Sequence, residues 1–344
     1  MVSIRNLEKN VVGLKKLQVI MFLIVTIFCS CNKPFHREGH YPDNVTNFIS
    51  INSEYDDYNS DLQEIPGGFN LRFSTNRYSN GDNFDIVEYT VDIVWNQKTG
   101  KLRINAYEGI RDAKPPINIG LINTENNELG PYSMFIPYSQ LFLYANDENG
   151  NYDIKYLWNN KISDIEFLKT KANELYPSFY GKDVYYSSRN YDLFIQYVNK
   201  IEKIIYCSDK DGSFDIYEVN LPKNSNILEV LQSSEPYQSV KLPINSDYDD
   251  KCPYVNGNLL VFSSNRPGGF GGFDLYYSVY QDGRWSEPIN FGEKINSEYD
   301  EYRPITHYEY GFDNNLMIFS SNRPGGLGGF DLYYVGIPKS IKIK

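Results

Sequence analysis

The sequence predicts an all-β fold assembled from repeats of one small antiparallel sheet. A sixteen-residue segment, 262–277, returns at 319–334 with a single difference, Phe270 against Leu327. A shorter tag precedes both copies and also occurs near the start of the chain. The 344 residues include 31 Tyr and 20 Phe among many turn residues, a composition typical of all-β proteins. A repeat of this length indicates that the repeated unit is the building block of the fold.

Each unit is predicted to be a strand, a glycine-rich turn and a second strand. Leu259-Leu-Val-Phe262 is a short apolar run suited to a strand buried on both faces. Asn265-Arg-Pro-Gly-Gly269 ends that strand, because proline cannot donate to a ladder and glycine accepts positive φ. Phe273-Asp-Leu-Tyr-Tyr277 then begins the next strand. The preceding tag, Ile-Asn-Ser-Asp/Glu-Tyr-Asp-Asp/Glu, occurs at 51–57, 244–250 and 295–301.

Weaker copies fill the middle of the chain, and six hairpins in all can be aligned on one aspartate each. The six aspartates are Asp85, Asp153, Asp192, Asp215, Asp274 and Asp331. A single unit cannot bury both faces of its sheet, so neighbouring units must pack around a ring. This predicts one β-propeller of four-stranded antiparallel blades.

The spacing of the hairpins favours five blades. A four-stranded blade usually needs about 40 residues. Only 23 residues separate Asp192 from Asp215, which leaves no room for two further strands between those hairpins. One of the two is therefore interpreted as an addition to the third blade, and six compact blades are the alternative.

The repeat resembles that of TolB-type and WD-like β-propeller proteins of the bacterial envelope. The resemblance rests on the apolar strand, the Asn-Arg pair, the glycine-rich turn and Phe-Asp-Leu-Tyr, and it covers residues 47–344. The form with Asn-Arg-Pro-Gly-Gly is similar to that of lipoproteins from Bacteroidetes-type envelopes. The resemblance implies a propeller with an interaction role, and it names no partner.

The recurring polar residues are predicted to be structural. An acid repeated at equivalent positions is suited to accept hydrogen bonds from turn amides or to pair with the arginine of Asn-Arg. Besides the six aspartates, the predicted structural residues are Asn76, Arg77, Asn265, Arg266, Asn322 and Arg323.

Residues 1–30 have the pattern of a lipoprotein signal peptide. A basic segment precedes the apolar run Leu17–Phe28, which is too short to span a bilayer comfortably. Cys31 follows Ser30 where the run ends, which is similar to a bacterial lipobox and predicts lipidation of Cys31. A cleaved signal peptide with an incidental cysteine, or an uncleaved anchor, is the alternative.

The lipobox interpretation divides the chain into a signal peptide, a lipidated tether over 31–46 and a propeller over 47–344. Acyl chains would anchor the protein stably to a membrane. The expected location is the outer membrane of a bacterial envelope, with the propeller facing the periplasm.

The charge of the chain argues against nucleic acid as a partner. The formal net charge is −11, and it becomes −14 without residues 1–30, which carry four basic residues and one acid. An acidic chain repels phosphate backbones.

Few residues suggest catalysis or a cofactor. The three histidines are His36, His40 and His307, and the sequence contains no nucleophile elbow and no zinc motif. The turn at 209–215 resembles a calcium loop, with Asp209, Asp211 and Asp215 as weak candidate ligands, but a polar turn explains it equally well. No cofactor and no metal are therefore predicted. Whether Cys207 and Cys252 form a disulfide is left open.

The leading hypothesis is a non-catalytic envelope lipoprotein, not an enzyme, whose propeller is a scaffold for an envelope protein partner. The alternative is a surface or periplasmic propeller that binds or cleaves a glycan, since five-bladed glycosidases use paired carboxylates. Function is expected where the repeats differ most, at 308–315, at 90–130 and in the third unit.

Overall fold

The computed structural model describes seven stretches of the chain. They are residues 38–65, 68–109, 117–136, 139–181, 201–223, 225–309 and 311–339. These residues form a five-bladed β-propeller of antiparallel blades, each with four strand positions. The predicted fold class and the choice of five blades are confirmed. Cys31, Asp192 and the signal peptide lie outside the described residues.

Within a blade the strands follow one another along the chain, except that the fifth blade takes its outermost strand from the N-terminal end. The first strands of neighbouring blades contact each other around the axis. The first blade contains β2 (Asp57–Ile65), β3 (Gly68–Thr75), β4 (Asp85–Asn96) and β5 (Lys101–Glu108). The second contains β6 (Glu128–Ile136), β7 (Ser139–Asn146), β8 (Asp153–Trp158) and β9 (Lys161–Asp164). The third contains β10 (Glu174–Gly181), β11 (Ile201–Ser208), β12 (Asp215–Asn220) and β13 (Ser239–Lys241).

The last two blades have divided or borrowed outer strands. The fourth contains β14 (Asp250–Asn256), β15 (Leu259–Ser264) and β16 (Asp274–Gln281), with the short β17 (Arg284–Trp285) and β18 (Ile289–Asn290) at its edge. The fifth contains β19 (Glu301–His307), β20 (Asn314–Ser321), β21 (Asp331–Pro338) and the N-terminal β1 (Thr46–Asn47). The helical elements of the described ranges are α1 (Ile227–Leu231) and 3₁₀ turns at Arg77–Ser79 and Ile119–Leu121. Within those ranges, no helix has the length and apolar character needed to cross a membrane.

The ring is closed by pairing the two ends of the described chain. In β1, Thr46 lies opposite Tyr334 of β21, so the N-terminal strand is the outermost strand of the fifth blade. Just upstream, the fully buried Tyr41 stacks on Phe312 with ring centroids 4.3 Å apart. Residues 38–46, which sequence analysis assigned to the tether, therefore pack on the propeller.

The hydrophobic core lies between adjacent blades. Leu71 and Phe73 of the first blade, for example, share one cluster with Ile305 and Leu316 of the fifth, and all four are buried. Burying an aliphatic or aromatic side chain of this size contributes about 1.5–3 kcal/mol. The apolar side chains of the inner strands therefore hold neighbouring sheets together, which is why a single repeat cannot fold alone.

Candidate functional site

The repeated motif forms the contacts that join one blade to the next. The first strand of every blade begins with a buried acid, and its N–H donates to the carbonyl of the aromatic residue before the hairpin aspartate of the preceding blade. The five bonds, all with N···O distances of 2.7–2.8 Å, are Asp57 to Phe330, Glu128 to Phe84, Glu174 to Tyr152, Asp250 to Phe214 and Glu301 to Phe273. Equivalent bonds at every seam fix the register of the ring.

The motif arginines bind these buried acids and not the hairpin aspartates. The guanidinium to carboxylate distances are 2.6 Å for Arg77–Asp57, 2.6 Å for Arg266–Asp250 and 2.7 Å for Arg323–Glu301. Each arginine also donates to a tag carbonyl, that of Ile51, Ile244 or Ile295. The arginine therefore ties the tag to the start of its own blade.

The hairpin aspartates organise turns. Asp274 accepts hydrogen bonds from the N–H groups of Phe270 and Gly271, and Asp331 makes the equivalent bonds in the fifth blade. Asp153 accepts from the side chain of Asn149. Asp85 has a raised pKa, caused by its burial.

A carboxylate and an amide are paired once in every blade. The residue before the buried acid donates its N–H to the side chain of the residue after the second strand. The pairs, with N···O distances of 2.8–2.9 Å, are Asp56–Asn76, Asn127–Asp147, Asn173–Asp209, Asp249–Asn265 and Asp300–Asn322. Each pair contains one acid and one amide, in either order, which avoids two facing carboxylates.

The weak calcium candidates all have protein partners. Asp209 accepts from both the backbone and the side chain of Asn173, as just described, and Asp211 accepts from the Tyr217 hydroxyl at 2.7 Å. Asp215 pairs with Lys241 at 2.6 Å. Across the described residues, no group of three or more His, Cys, Asp and Glu side chains could hold a metal ion.

The two cysteines that sequence analysis left open are free thiols. Cys207 and Cys252 are both fully buried and unbridged. Burial raises the pKa of Cys252 to about 11, so its thiol stays protonated and packs as a small apolar group.

The centre of the ring is filled by polar side chains. Arg303 is fully buried and donates to the carbonyls of Pro253 and Pro131, which belong to other blades. Asp61 is 2% exposed and accepts from the N–H of Ser133, and burial raises the pKa of Asp61 to about 6. At this level the axis is packed by protein groups, which leaves the ends of the ring for ligands.

A second buried network joins the first and second blades. Arg72 and Glu88 form an ion pair, and Arg72 also donates to Gln63 at 3.1 Å and to Ser133 at 2.8 Å. Gln140 of the second blade donates to Gln63 at 2.9 Å. Removing one member of such a pair costs about 3–5 kcal/mol, which fits a structural role.

Two glutamates and a histidine come together where the innermost strands end, opposite the buried acids. Glu64 is near the end of β2, His307 ends β19, and Glu309 follows two residues later. His307 Nε2 lies 3.5 Å from Glu309 Oε2, and the imidazole packs edge-on against Phe69 with centroids 4.8 Å apart. We call Glu64, His307 and Glu309 the seam cluster, because they lie where the fifth blade meets the first.

The environment of the seam cluster changes the acidity of Glu64. The side chain of Glu64 reaches solvent but is partly desolvated by its neighbours. This partial burial raises the pKa of Glu64, the nearby His307 opposes that rise, and the charge of Glu309 adds to it. A carboxyl with a raised pKa keeps its proton to a higher pH than an ordinary carboxyl and can donate it, whereas a second carboxylate can accept one.

Polar atoms without partners lie in the same region. The hydroxyl of the buried Tyr41 has no hydrogen-bond partner within the described part of the chain. The charge of Glu309 contributes, after burial, to raising the pKa of Tyr41, which places the two groups near each other. Buried polar atoms are normally satisfied, so the unpaired hydroxyl of Tyr41 near Glu309 is an exception in this part of the fold.

Sequence reasoning found part of this cluster. The segment 308–315, which contains Glu309, was expected to carry function, whereas His307 was noted as one of three histidines without a predicted role. Glu64 carried no signal, because it is a single acid in a strand without a motif. Its position beside His307 depends on the closure of the ring.

Comparisons with known proteins give the fold a context. A family-43 glycoside hydrolase described as thermostable has a TM-score of 0.56 at 10% identity over 86% of this chain and 94% of its own. The α-L-arabinofuranosidase of Podospora anserina has a TM-score of 0.48 at 11% identity over 89% and 98% of the two chains. The family-43 endo-arabinanase of Bacillus licheniformis has a TM-score of 0.44 at 7% identity over 85% and 97%. No family model and no curated protein matches the sequence.

The fold and its neighbours therefore define a five-bladed propeller of the kind found in the family-43 hydrolase. The expected membership of the TolB-type and WD-like lipoproteins was wrong, since the solved structure with a TM-score of 0.56 is a family-43 glycoside hydrolase. The expectation of a non-catalytic scaffold, not an enzyme, was wrong for the same reason. The repeated residues form the contacts that join the blades. Every ring of this type needs such contacts, whatever its function.

Proposed function

We propose that this protein cleaves a glycan by acid–base chemistry at the seam cluster. The observation that carries the proposal is that Glu64 lies close enough to Glu309 for the charge of Glu309 to add to the rise in the pKa of Glu64, while Glu309 contacts His307. The shared fold with a family-43 glycoside hydrolase supports the proposal, since that fold accommodates glycan cleavage.

The two glutamates have the complementary roles that glycoside hydrolysis needs. One protonated carboxyl donates its proton to the glycosidic oxygen, and one carboxylate takes a proton from the attacking water. The raised pKa assigns the first role to Glu64 and leaves the second to Glu309. Water adds to the anomeric carbon as the carbon–oxygen bond breaks, and exchange with solvent then returns both carboxyls to their starting states.

The neighbouring groups would orient the reactants. His307 contacts Glu309 and can hold its carboxylate in place.

The experiment is a hydrolysis screen of the purified protein on a panel of neutral polysaccharides, with release of reducing ends as the readout. Glu64→Gln and Glu309→Gln should each lower the rate by about 100-fold or more, the usual contribution of an acid or base. The matched control is Glu287→Gln, an exposed glutamate of the fourth blade, which should keep the wild-type rate. Absence of hydrolysis on every substrate, or full activity in both seam variants, would overturn the proposal.

We also propose that the chain is an outer-membrane lipoprotein anchored through Cys31, facing the periplasm. The pattern of residues 1–31 supports this. Incorporation of labelled palmitate should be lost in Cys31→Ala, and protection from protease on intact cells should show that the propeller faces inward. Unchanged labelling of Cys31→Ala would contradict the anchor. Digestion of the propeller on intact cells would contradict the periplasmic orientation.

A further inference from the structure

A groove with a volume of about 480 Å³ lies between the second and third blades, away from the seam cluster. Strands β8 and β9 form one wall, and the end of α1 forms the other. Its main lining residues are Tyr156, Trp158, Lys161, Asp164, Glu166 and Gln232. The volume lies within the range of small-molecule sites, about 300–1,000 Å³.

The groove has an aromatic and aliphatic floor with one unused donor. Tyr156 and Leu231 are 4% and 1% exposed and are anchored in the core. Trp158 is half-buried, and its indole Nε1–H has no hydrogen-bond partner among the described residues. An indole with an accessible face can stack on an apolar surface of a ligand.

The walls of the groove are held in place by the surrounding structure. The side chain of Asn226 caps α1 by accepting from the N–H of Leu228 at 3.0 Å. The ring of Phe167 packs on that of Tyr237 with centroids 4.6 Å apart, which joins the two blades beside the groove. The groove is therefore formed without a ligand, as most small-molecule sites are.

The charges around the groove are balanced. Asp164 is bound by Lys155 at 2.8 Å and by Lys169 at 3.1 Å, and these bonds outweigh burial and lower the pKa of Asp164. Lys155 also pairs with Glu148 at 2.6 Å. The remaining lining charges, those of Lys161 and Glu166, are one of each sign.

Because Asp164 is paired with two lysines outside the lining, and Lys161 and Glu166 carry opposite charges, the groove favours an uncharged polar ligand over a polyanion or a polycation. Such a ligand needs hydroxyl groups for the amide and charged side chains and an apolar face for the indole. Neutral saccharides have both.

From this geometry we infer that the groove is a saccharide-binding site separate from the seam cluster. The inference rests on the proposed function only for the choice of a glycan as the ligand. Trp158 would stack on the sugar ring, and Gln232, Lys161 and Glu166 would bond its hydroxyls. A chain held in this groove would raise the local concentration of polymer near the enzyme without taking part in cleavage.

The test is calorimetric titration of the full protein with cellotriose and xylotriose, with tryptophan fluorescence recorded in parallel. Wild type should bind at least one of them and change its fluorescence. Trp158→Ala should weaken binding about tenfold, the equivalent of the stacking contribution of an aromatic ring. Gln232→Ala and Glu166→Gln should each weaken it several-fold, and Trp95→Ala in the first blade is the matched tryptophan control.

The outcomes separate this inference from the proposed cleavage. Loss of binding in the groove variants with hydrolysis of short substrates unchanged supports the groove as a distinct site. Binding without any hydrolysis refutes the cleavage proposal alone. If wild type binds neither probe, the inference about the groove is refuted. It is also refuted if Gln232→Ala and Glu166→Gln bind with the wild-type affinity. These two variants remain informative where Trp158→Ala does not fold. Stronger binding of an oligogalacturonate than of the neutral probes refutes the charge argument.

Discussion

The carboxylate–amide pairs predict that replacing the amide of a pair by a carboxylate destabilises the fold. Exchanging both residues of the pair should leave the stability almost unchanged. In the second blade, Asn127 donates its side-chain amide to Asp147 at 2.7 Å and its N–H at 2.8 Å. In the first blade the order is inverted, with Asp56 facing Asn76. Asn127→Asp would set two carboxylates against each other, whereas adding Asp147→Asn would recreate the pair of the first blade.

The size of the effect follows from the contact. The single variant loses a hydrogen bond to a charged group, about 1.5–3 kcal/mol. It also places two negative charges roughly 4 Å apart, which costs about 4 kcal/mol at an effective dielectric constant near 20. The two carboxyls can avoid this repulsion by sharing one proton. Keeping that proton at pH 7 requires the pKa of one carboxyl to rise from about 4 to about 7, which itself costs roughly 4 kcal/mol. We therefore expect Asn127→Asp to lower the free energy of unfolding by about 4 kcal/mol at pH 7.

The sign of the pH dependence is fixed by the same reasoning. The shared proton raises the folded-state pKa above the unfolded value, so the variant is relatively more stable at low pH and loses stability as pH rises through the folded pKa. Urea unfolding followed by circular dichroism at about pH 5 and pH 7 measures both effects. The double variant should return to within about 1 kcal/mol of wild type, as coupled neighbours do. A single variant as stable as wild type, or a double variant no better than the single, would refute the argument.

Two further predictions concern ring closure and a buried acid. A Cβ at Gly328 would collide with the carbonyl oxygen of Tyr55 across the seam of the fifth and first blades, so Gly328→Ala should lower the free energy of unfolding by about 3 kcal/mol. The control is Gly120→Ala at an exposed position, which should change the stability little. Equal urea midpoints for the two variants would contradict this. Burial raises the pKa of Glu128 to about 7 from an ordinary value of 4.5, so the stability of the fold should fall as pH rises through 7. Glu128→Gln should flatten this dependence of stability on pH. A dependence that is unchanged in the variant would contradict the prediction.

The fold was predictable because its local signals agree with one another. Residues 262–277 and 319–334 repeat an apolar strand, a glycine turn and an aromatic strand, and the 23 residues between Asp192 and Asp215 limit the number of blades. The closing strand at Thr46–Asn47 was not predictable, because two residues carry no periodic pattern. Its pairing with β21 depends on the position of the last blade.

The candidate site was harder to predict than the fold. The arginine of Asn-Arg could pair with either of two acids, and only the three-dimensional arrangement shows that Arg323 takes Glu301. Glu64 and Glu309 are 245 positions apart and meet because the ring brings its first and last blades together. Contacts that depend on closure leave no local pattern, whereas the turn residues of each blade do.

The most direct test of the central claim is the pH–rate profile of glycan cleavage by wild type and by Glu64→Gln on the best neutral substrate. The proton donor must be protonated, so activity should fall as pH rises through the raised pKa of Glu64. We predict that the wild-type rate declines on the alkaline side of the profile and that the variant has almost no activity. A variant with the rate and profile of wild type would contradict the account.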